Sequence, residues 1–210
     1  MSILFSFYHS LLQLLFPESC FLCKKSGTPL CKKCIHTFKK NIDTPLTYAH
    51  STYSFHDIRV KKIIHAIKYF HRKDLIMPLV ASMENDINYF KNNHQTYTLI
   101  PIPMPKIRKL IRGYNQAEWI ASHVSEKTSN TIVDFSILKR SRTPERQATT
   151  KTRSERLKNQ HNSFYVSKDV SGLHIILIDD VMTTGATLSE ARNILLKHGA
   201  KEVYALTIAH

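Results

Sequence analysis

The stretch Ile175-Ile176-Leu177-Ile178-Asp179-Asp180-Val181-Met182-Thr183-Thr184-Gly185-Ala186-Thr187-Leu188 decides how this chain is expected to fold. Its first four residues form an unbroken apolar run, the pattern of a parallel strand covered on both faces. Two carboxylates stand where that strand must end. A short loop of Thr and Gly follows, then a helix whose apolar positions Leu188, Ala191, Leu195 and Leu196 recur at helical spacing. In an open α/β sheet, ligands bind beyond the carboxyl ends of the strands. The first amides of a helix lack intrahelical acceptors and lie at the positive end of its dipole, which suits a phosphate. Thr183, Thr184 and Thr187 add hydroxyl donors, and Gly185 permits a tight turn against the anion. The acidic pair then lies where a sugar diol, or a cation held with it, would be gripped. These residue types in this order describe a site for a phosphorylated sugar.

Outward from this stretch, the chain supplies the layers an α/β sheet needs. Residues 57–70 read as an amphipathic helix with Val60, Ile63, Ile64 and Ile67 inward and lysines outward. A second helix is expected over 74–90, with Pro78 tolerable only near its first turn. Residues 98–103 read as a strand running into a Pro-punctuated loop, and 115–127 as a helix burying Ala117, Ile120, Ala121 and Val124. Ile137-Leu138 begins a short strand, 143–151 is a polar loop, and 154–160 suggests a helical turn. Gly199 suits the end of the helix from Ala186, and 202–208 is a closing strand. The expectation is a parallel sheet flanked by helices over residues 46–210, with no repeats.

The 210 residues carry a formal charge of +14 and a pI near 9.7. Residues 101–160 hold thirteen Lys or Arg against five Asp or Glu, a candidate footprint for a polyanion. Within it, Lys106, Arg108, Lys109 and Arg112 run directly into Gly113-Tyr114-Asn115-Gln116. Arg108 and Arg112 are four apart, which would align them on a helix, yet Gly113 argues for a loop. Tyr114 is available for base stacking. Arg140, Arg142, Lys151, Arg153 and Arg156 extend the set of phosphate- or DNA-binding candidates. Trp119, beside the buried face of its helix, reads as core, and the twelve His show no ligand spacing.

All four cysteines lie in Cys20-Phe21-Leu22-Cys23 and Cys31-Lys32-Lys33-Cys34. Two C-x-x-C pairs bring four thiolates round one tetrahedral zinc ion. Gly27 and Pro29 suit the reversal between them. Disulfides fit poorly because nothing suggests export, and a redox role for one pair leaves the other idle. A zinc-finger module is expected over 18–45. Ahead of it, residues 1–17 form an expected amphipathic helix, with Ile3, Leu4, Phe7, Leu11, Leu14 and Leu15 on one face and Pro17 at its end. It lacks the basic start and cleavage site of a signal peptide and is too short to span a bilayer. It packs on the protein or, through residues 1–16, contacts a membrane peripherally.

The 175–188 stretch resembles the phosphoribosyl pyrophosphate (PRPP) motif of type I phosphoribosyltransferases. The resemblance implies that Asp179 and Asp180 hold the ribose hydroxyls, while Thr183, Thr184, Gly185, Ala186 and Thr187 hold the 5′-phosphate, with Mg²⁺ accompanying PRPP. Taken with the cysteine pairs, the 101–116 segment and the 138–164 segment, the chain resembles the ComF/GntX family of competence proteins. That implies a cytoplasmic protein for DNA uptake in natural transformation. Single-stranded DNA, PRPP and a DNA-uptake helicase or other competence proteins are the implied partners. The alternative is a working phosphoribosyltransferase with a small acceptor. No segment reads as a dedicated nucleobase pocket, and the zinc module stands where a base-recognition hood would be. A PRPP-responsive transcription regulator is weaker, since no helix-turn-helix is visible.

Overall fold

The computed structural model describes residues 18–83, 86, 95–141 and 163–210. The expected helix over 1–17, the later part of the expected 74–90 helix, and Arg142, Lys151, Arg153 and Arg156 lie outside the described residues. Five parallel strands form the main sheet in the order β1-β7-β6-β2-β3: β1 (Ala49–Tyr53), β2 (Tyr97–Pro101), β3 (Thr131–Val133), β6 (His174–Val181) and β7 (Glu202–Ala209). Two short strands, β4 (Leu138–Arg140) and β5 (Phe164–Val166), pair antiparallel as a separate ribbon.

The central position of β6 follows from its sequence. Residues His174 to Ile178 are all buried, as a strand with helices on both faces requires. One face is covered by α2 (Ile58–Tyr69), the short α3 (Ile76–Ala81) and α5 (Gln116–Lys127); the other by α6 (Ala186–Lys197) and the β4–β5 ribbon. Asp57 caps α2 by accepting from the Arg59 amide, and Asn115 caps α5 by accepting from the Ala117 amide. Pro78 falls in the first turn of α3, where its missing N–H costs nothing.

The connection from β2 leads outward to β3, while that from β6 leads the opposite way to β7. The carboxyl ends of β2 and β6 are therefore the switch point at which open α/β sheets bind ligands. Two departures from the sequence reading concern this region. Residues Lys106–Arg112 form a helix, α4, and not a loop; Gly113, at φ 73°, takes the left-handed conformation that ends it. Trp119 is 39% exposed and therefore not core.

The cysteine segment has one short helix, α1 (Lys32–His36). Its apolar residues Leu30, Ile35 and Phe38 join the same cluster as α2, α3 and α5. Among the described residues no helix is long and apolar enough to cross a membrane.

Candidate functional site

Asp179 and Asp180 end β6, and the chain then turns through Thr183 and Thr184 to Gly185, the N-cap of α6. Gly185 has φ 76°, and a Cβ there would lie 2.4 Å from Leu46 Cδ1. The positive φ calls for glycine, and a Cβ would in addition push the tip of the Leu46 side chain aside. Thr183, Thr184, Ala186 and Thr187 are exposed at the surface of this turn, as a loop open to a ligand requires.

Opposite lies the β2 end. A cavity of about 230 Å³ runs between the two, lined by Ile102 to Pro105, Arg108, Arg112, Asn115, Gln116 and Arg140 on one side and Asp179, Asp180, Val181 and Thr187 on the other. Of the candidate cations, the structure thus brings Arg108, Arg112 and Arg140 together at the acidic pair. Their convergence has electrostatic consequences. The Arg140 guanidinium is held below its ordinary value by burial and by the nearby charge of Arg108.

Asn115 and Gln116 differ in what they have left to offer. The Asn115 side chain is spent on structure: besides capping α5, its amide donates to the Ile102 carbonyl at 3.0 Å and braces the loop after β2. Gln116 is buried, and its Nε2 makes no hydrogen bond. An unpaired buried amide is costly, and a ligand acceptor in the crevice would relieve it.

Tyr114 departs from the expectation. It is buried, and its hydroxyl donates to the Ile67 carbonyl in the last turn of α2, so its ring is an internal strut rather than a surface for stacking. What it secures was missed in the sequence reading. Lys68, the next residue of α2, reaches into the crevice with its Nζ 2.9 Å from Asp180 Oδ2. The signal was present: Lys68 lies four residues after Ile64 and so continues an apolar face with a cation.

The acidic pair is electrostatically asymmetric. Asp180 has Lys68. Asp179 is pushed up to about 7 by burial and by the Asp180 charge, against the Asp180 amide (2.8 Å to Asp179 Oδ1), Lys68 and Arg140. Two carboxyls this close resist being ionised together, and a cation or a diol would lower that cost.

At the other end of the chain, the ligand atoms of Cys20, Cys23, Cys31 and Cys34 all lie within 4.8 Å of one another. The Cys20–Cys34 and Cys23–Cys31 Sγ distances are 3.9 and 3.6 Å. A tetrahedral zinc with Zn–S near 2.3 Å sets its sulfurs roughly 3.8 Å apart, so the set fits a metal such as zinc. Burial and the neighbouring sulfurs push the Cys34 thiol up to about 12. At Cys20, backbone hydrogen bonds, chiefly from Cys23 and Cys31, outweigh burial and lower it to about 6.

The phosphoribosyl transferase domain model matches residues 112–210, a span that includes the acidic pair and the turn into α6. The chain thus carries a domain of that class, with the cysteine cluster and Lys68 outside the matched span. By sequence it is similar to competence protein ComFC of Bacillus subtilis, 28% identical over 160 residues, covering 75% of this chain and 62% of that protein. It is similar to DNA utilization protein YhgH of Escherichia coli O157:H7, 26% identical over 67% of this chain and 63% of that protein. Competence protein F of Haemophilus influenzae is 32% identical over 57% of this chain and 54% of that protein. The chain is a homologue of these competence and DNA utilization proteins, and its matches span less than two thirds of their length.

Proposed function

We propose that the chain is a competence protein acting in DNA uptake during natural transformation. On this reading it binds PRPP, or a related phosphosugar, in the crevice between β2 and β6, and single-stranded DNA along the cationic face around it. The observation that carries the reading is the convergence of Arg108, Arg112 and Arg140 on the crevice that Asp179, Asp180 and Thr187 also line. The relatives, which are competence and DNA utilization proteins by name, supply the process.

Each group has a task that its chemistry suits. Thr183, Thr184 and Thr187, with the first amides of α6, hold the 5′-phosphate. Asp179 and Asp180 accept from the sugar hydroxyls and would hold Mg²⁺, which neutralises the pyrophosphate when bound. Arg108, Arg112 and Arg140 hold phosphate oxygens by their planar, charged donors, and Gln116 Nε2 adds a neutral one. The four cysteines hold zinc as a structural ion. Cytoplasmic handling of DNA together with an uptake helicase or other competence proteins belongs to this reading, with residues 1–16 either packing on the protein or contacting a membrane peripherally.

The test is a titration of zinc-loaded protein with labelled single-stranded DNA, with and without PRPP and Mg²⁺, at two salt concentrations. Binding that weakens steeply with salt is expected, as is a shift when PRPP is added. PRPP binding with no DNA binding would overturn the DNA part and leave a phosphoribosyltransferase with a small acceptor. Asp179→Ala/Asp180→Ala should fold and fail to support transformation.

A further inference from the structure

Lys68 enters the crevice from α2, ahead of the 112–210 span that the phosphoribosyl transferase domain model matches. Its ammonium lies 2.9 Å from Asp180 Oδ2, and the two side chains are only 22% and 13% exposed. This is not the open surface pair that solvent separates at little cost. The position of Lys68 is also fixed from its own helix. Val60, Ile63, Ile64 and Ile67 bury the inner face of α2 and anchor the backbone that carries it. The Tyr114 hydroxyl donates to the Ile67 carbonyl, one residue before Lys68. Lys68 stands in the last turn of α2, where the negative end of the helix dipole favours a cation.

Paired carboxylates that meet a phosphorylated ligand need positive charge beside them, and a divalent cation is a common provider. A tethered ammonium answers the same need with a different geometry. One of its three donors is used on Asp180, and the others remain for oxygens of a ligand in the crevice. Magnesium takes a strict octahedron of oxygens at roughly 2.1 Å. An ammonium in hydrogen-bond contact with Asp180 stands on one approach to that carboxylate and repels a second cation there. With Lys68, Arg108, Arg112 and Arg140 set against Asp179 and Asp180, the lining side chains carry an excess of positive charge of their own. A single phosphate finds its counter-charge in the protein. A pyrophosphate carries more charge, and Mg²⁺ keeps its place on that group.

We infer that Lys68 is a built-in counter-ion of the acidic pair, a positioning residue that lets the crevice hold a monophosphorylated sugar without a divalent cation and that competes with such a cation for Asp180. The inference rests on the phosphosugar reading above and specifies its dependence on the ion.

Zinc-loaded full-length protein is titrated by calorimetry with ribose 5-phosphate, once in Mg²⁺ and once in Mg²⁺-free buffer, as wild type, Lys68→Met and Lys68→Arg. Wild type is expected to bind equally, within about twofold, under the two conditions. Lys68→Met should bind about tenfold or more weakly in Mg²⁺-free buffer and recover most of that loss when Mg²⁺ is added. Lys68→Arg keeps the charge and should keep most of the metal-free binding. Titration with Mn²⁺ alone gives a second readout: Lys68→Met should bind it about fivefold or more tightly than wild type, since the competing charge is gone. The Trp119 fluorescence transition reports that each variant is folded, and Lys68→Gln takes the place of Lys68→Met if the latter is not. Wild-type binding that needs Mg²⁺, metal-free binding undiminished in Lys68→Met, or a loss that Mg²⁺ does not restore each overturns the role of Lys68 and leaves the phosphosugar reading standing. If ribose 5-phosphate binds wild type under neither condition, that reading fails and the inference falls with it.

Discussion

Asp179 is held at the end of a buried strand beside a second carboxyl, and the fold carries that cost at rest. Its folded value near 7 stands above the roughly 3.9 of an unfolded Asp. Between those values the folded chain binds the extra proton. The group's contribution to stability is therefore full below about pH 4 and lost as pH rises through 7. Asp179→Asn removes the titration and keeps the shape. The variant should melt at a higher temperature than wild type at pH 8, with the gap closing at pH 4.5, while its phosphosugar binding falls. Thermal melts at the two pH values decide this; a gap equal at both would assign the effect to packing. Gly185 is constrained in a different way. Gly185→Ala meets both a positive φ and the Leu46 side chain, so a loss of roughly 1–3 kcal/mol is expected. Adding Leu46→Ala removes the clash but not the φ. Chemical denaturation of the double variant should therefore show no full rescue of the Gly185 defect.

Among the described elements, α4 is weakly held. None of its residues is buried, and Ile107, Leu110 and Ile111 lie exposed on its surface. Its side-chain ties to α5 are the pair Lys109–Glu118 at 2.8 Å and a long hydrogen bond, 3.5 Å, from Arg112 to Gln116 Oε1, and ion pairs this exposed contribute little. Substituting Ser singly for Ile107, Leu110 or Ile111 should change stability by no more than about 0.5 kcal/mol. Amide hydrogen exchange should be faster in α4 than in α5, because little packing opposes its opening. Slow exchange in α4 would show that something else covers it. The misreading of this element has a plain cause: the four-residue spacing of Arg108 and Arg112 did signal a helix, and Gly113 marked its end. Other elements were hidden because their partners are remote. β1 reads as a polar mixture, Ala-His-Ser-Thr-Tyr, and becomes a strand only beside β7, where the Ser51 and Thr207 hydroxyls bond at 2.6 Å across 156 residues. β6, α2, α5 and α6 were legible because each carries its own period. Likewise the acidic pair, the threonine turn and the cysteines lie in contiguous motifs, whereas Lys68 meets the site only through the fold.

Across the whole molecule, the question is how firmly the cysteine segment is part of the main body. Cys20, Leu30, Cys31, Ile35 and Phe38 belong to the apolar cluster that also contains Ile63, Leu79, Leu99 and Ile178, so the segment does not bury its apolar side chains in a core of its own. Polar contacts reinforce the seam. Asp57 accepts from the Lys39 amide at 3.0 Å, while Arg59 donates to the Thr37 hydroxyl and carbonyl, each at 2.6 Å. The Arg59 hydrogen bond and the amides of Lys39 and Arg59 hold the Asp57 carboxyl well below the usual carboxylate range. The Arg72 guanidinium lies 5.4 Å over the Phe21 ring from the far side of α2. A zinc ion bound by the four cysteines would supply on the order of 10 kcal/mol to a segment this small, and the shared core transmits that stabilisation onward. Removing zinc with a chelator should therefore lower the melting temperature of the sheet domain as well as unfold the cysteine segment. Trp119 reports on that domain specifically: it is the single tryptophan, it lies on α5, and it makes an edge contact with Tyr114. Its fluorescence transition should move to lower temperature on chelation and return with added zinc, and Cys34→Ser should reproduce the shift without chelator. A Trp119 transition that stays in place while the cysteines release their metal would mean that the seam is weak and that the two parts unfold independently.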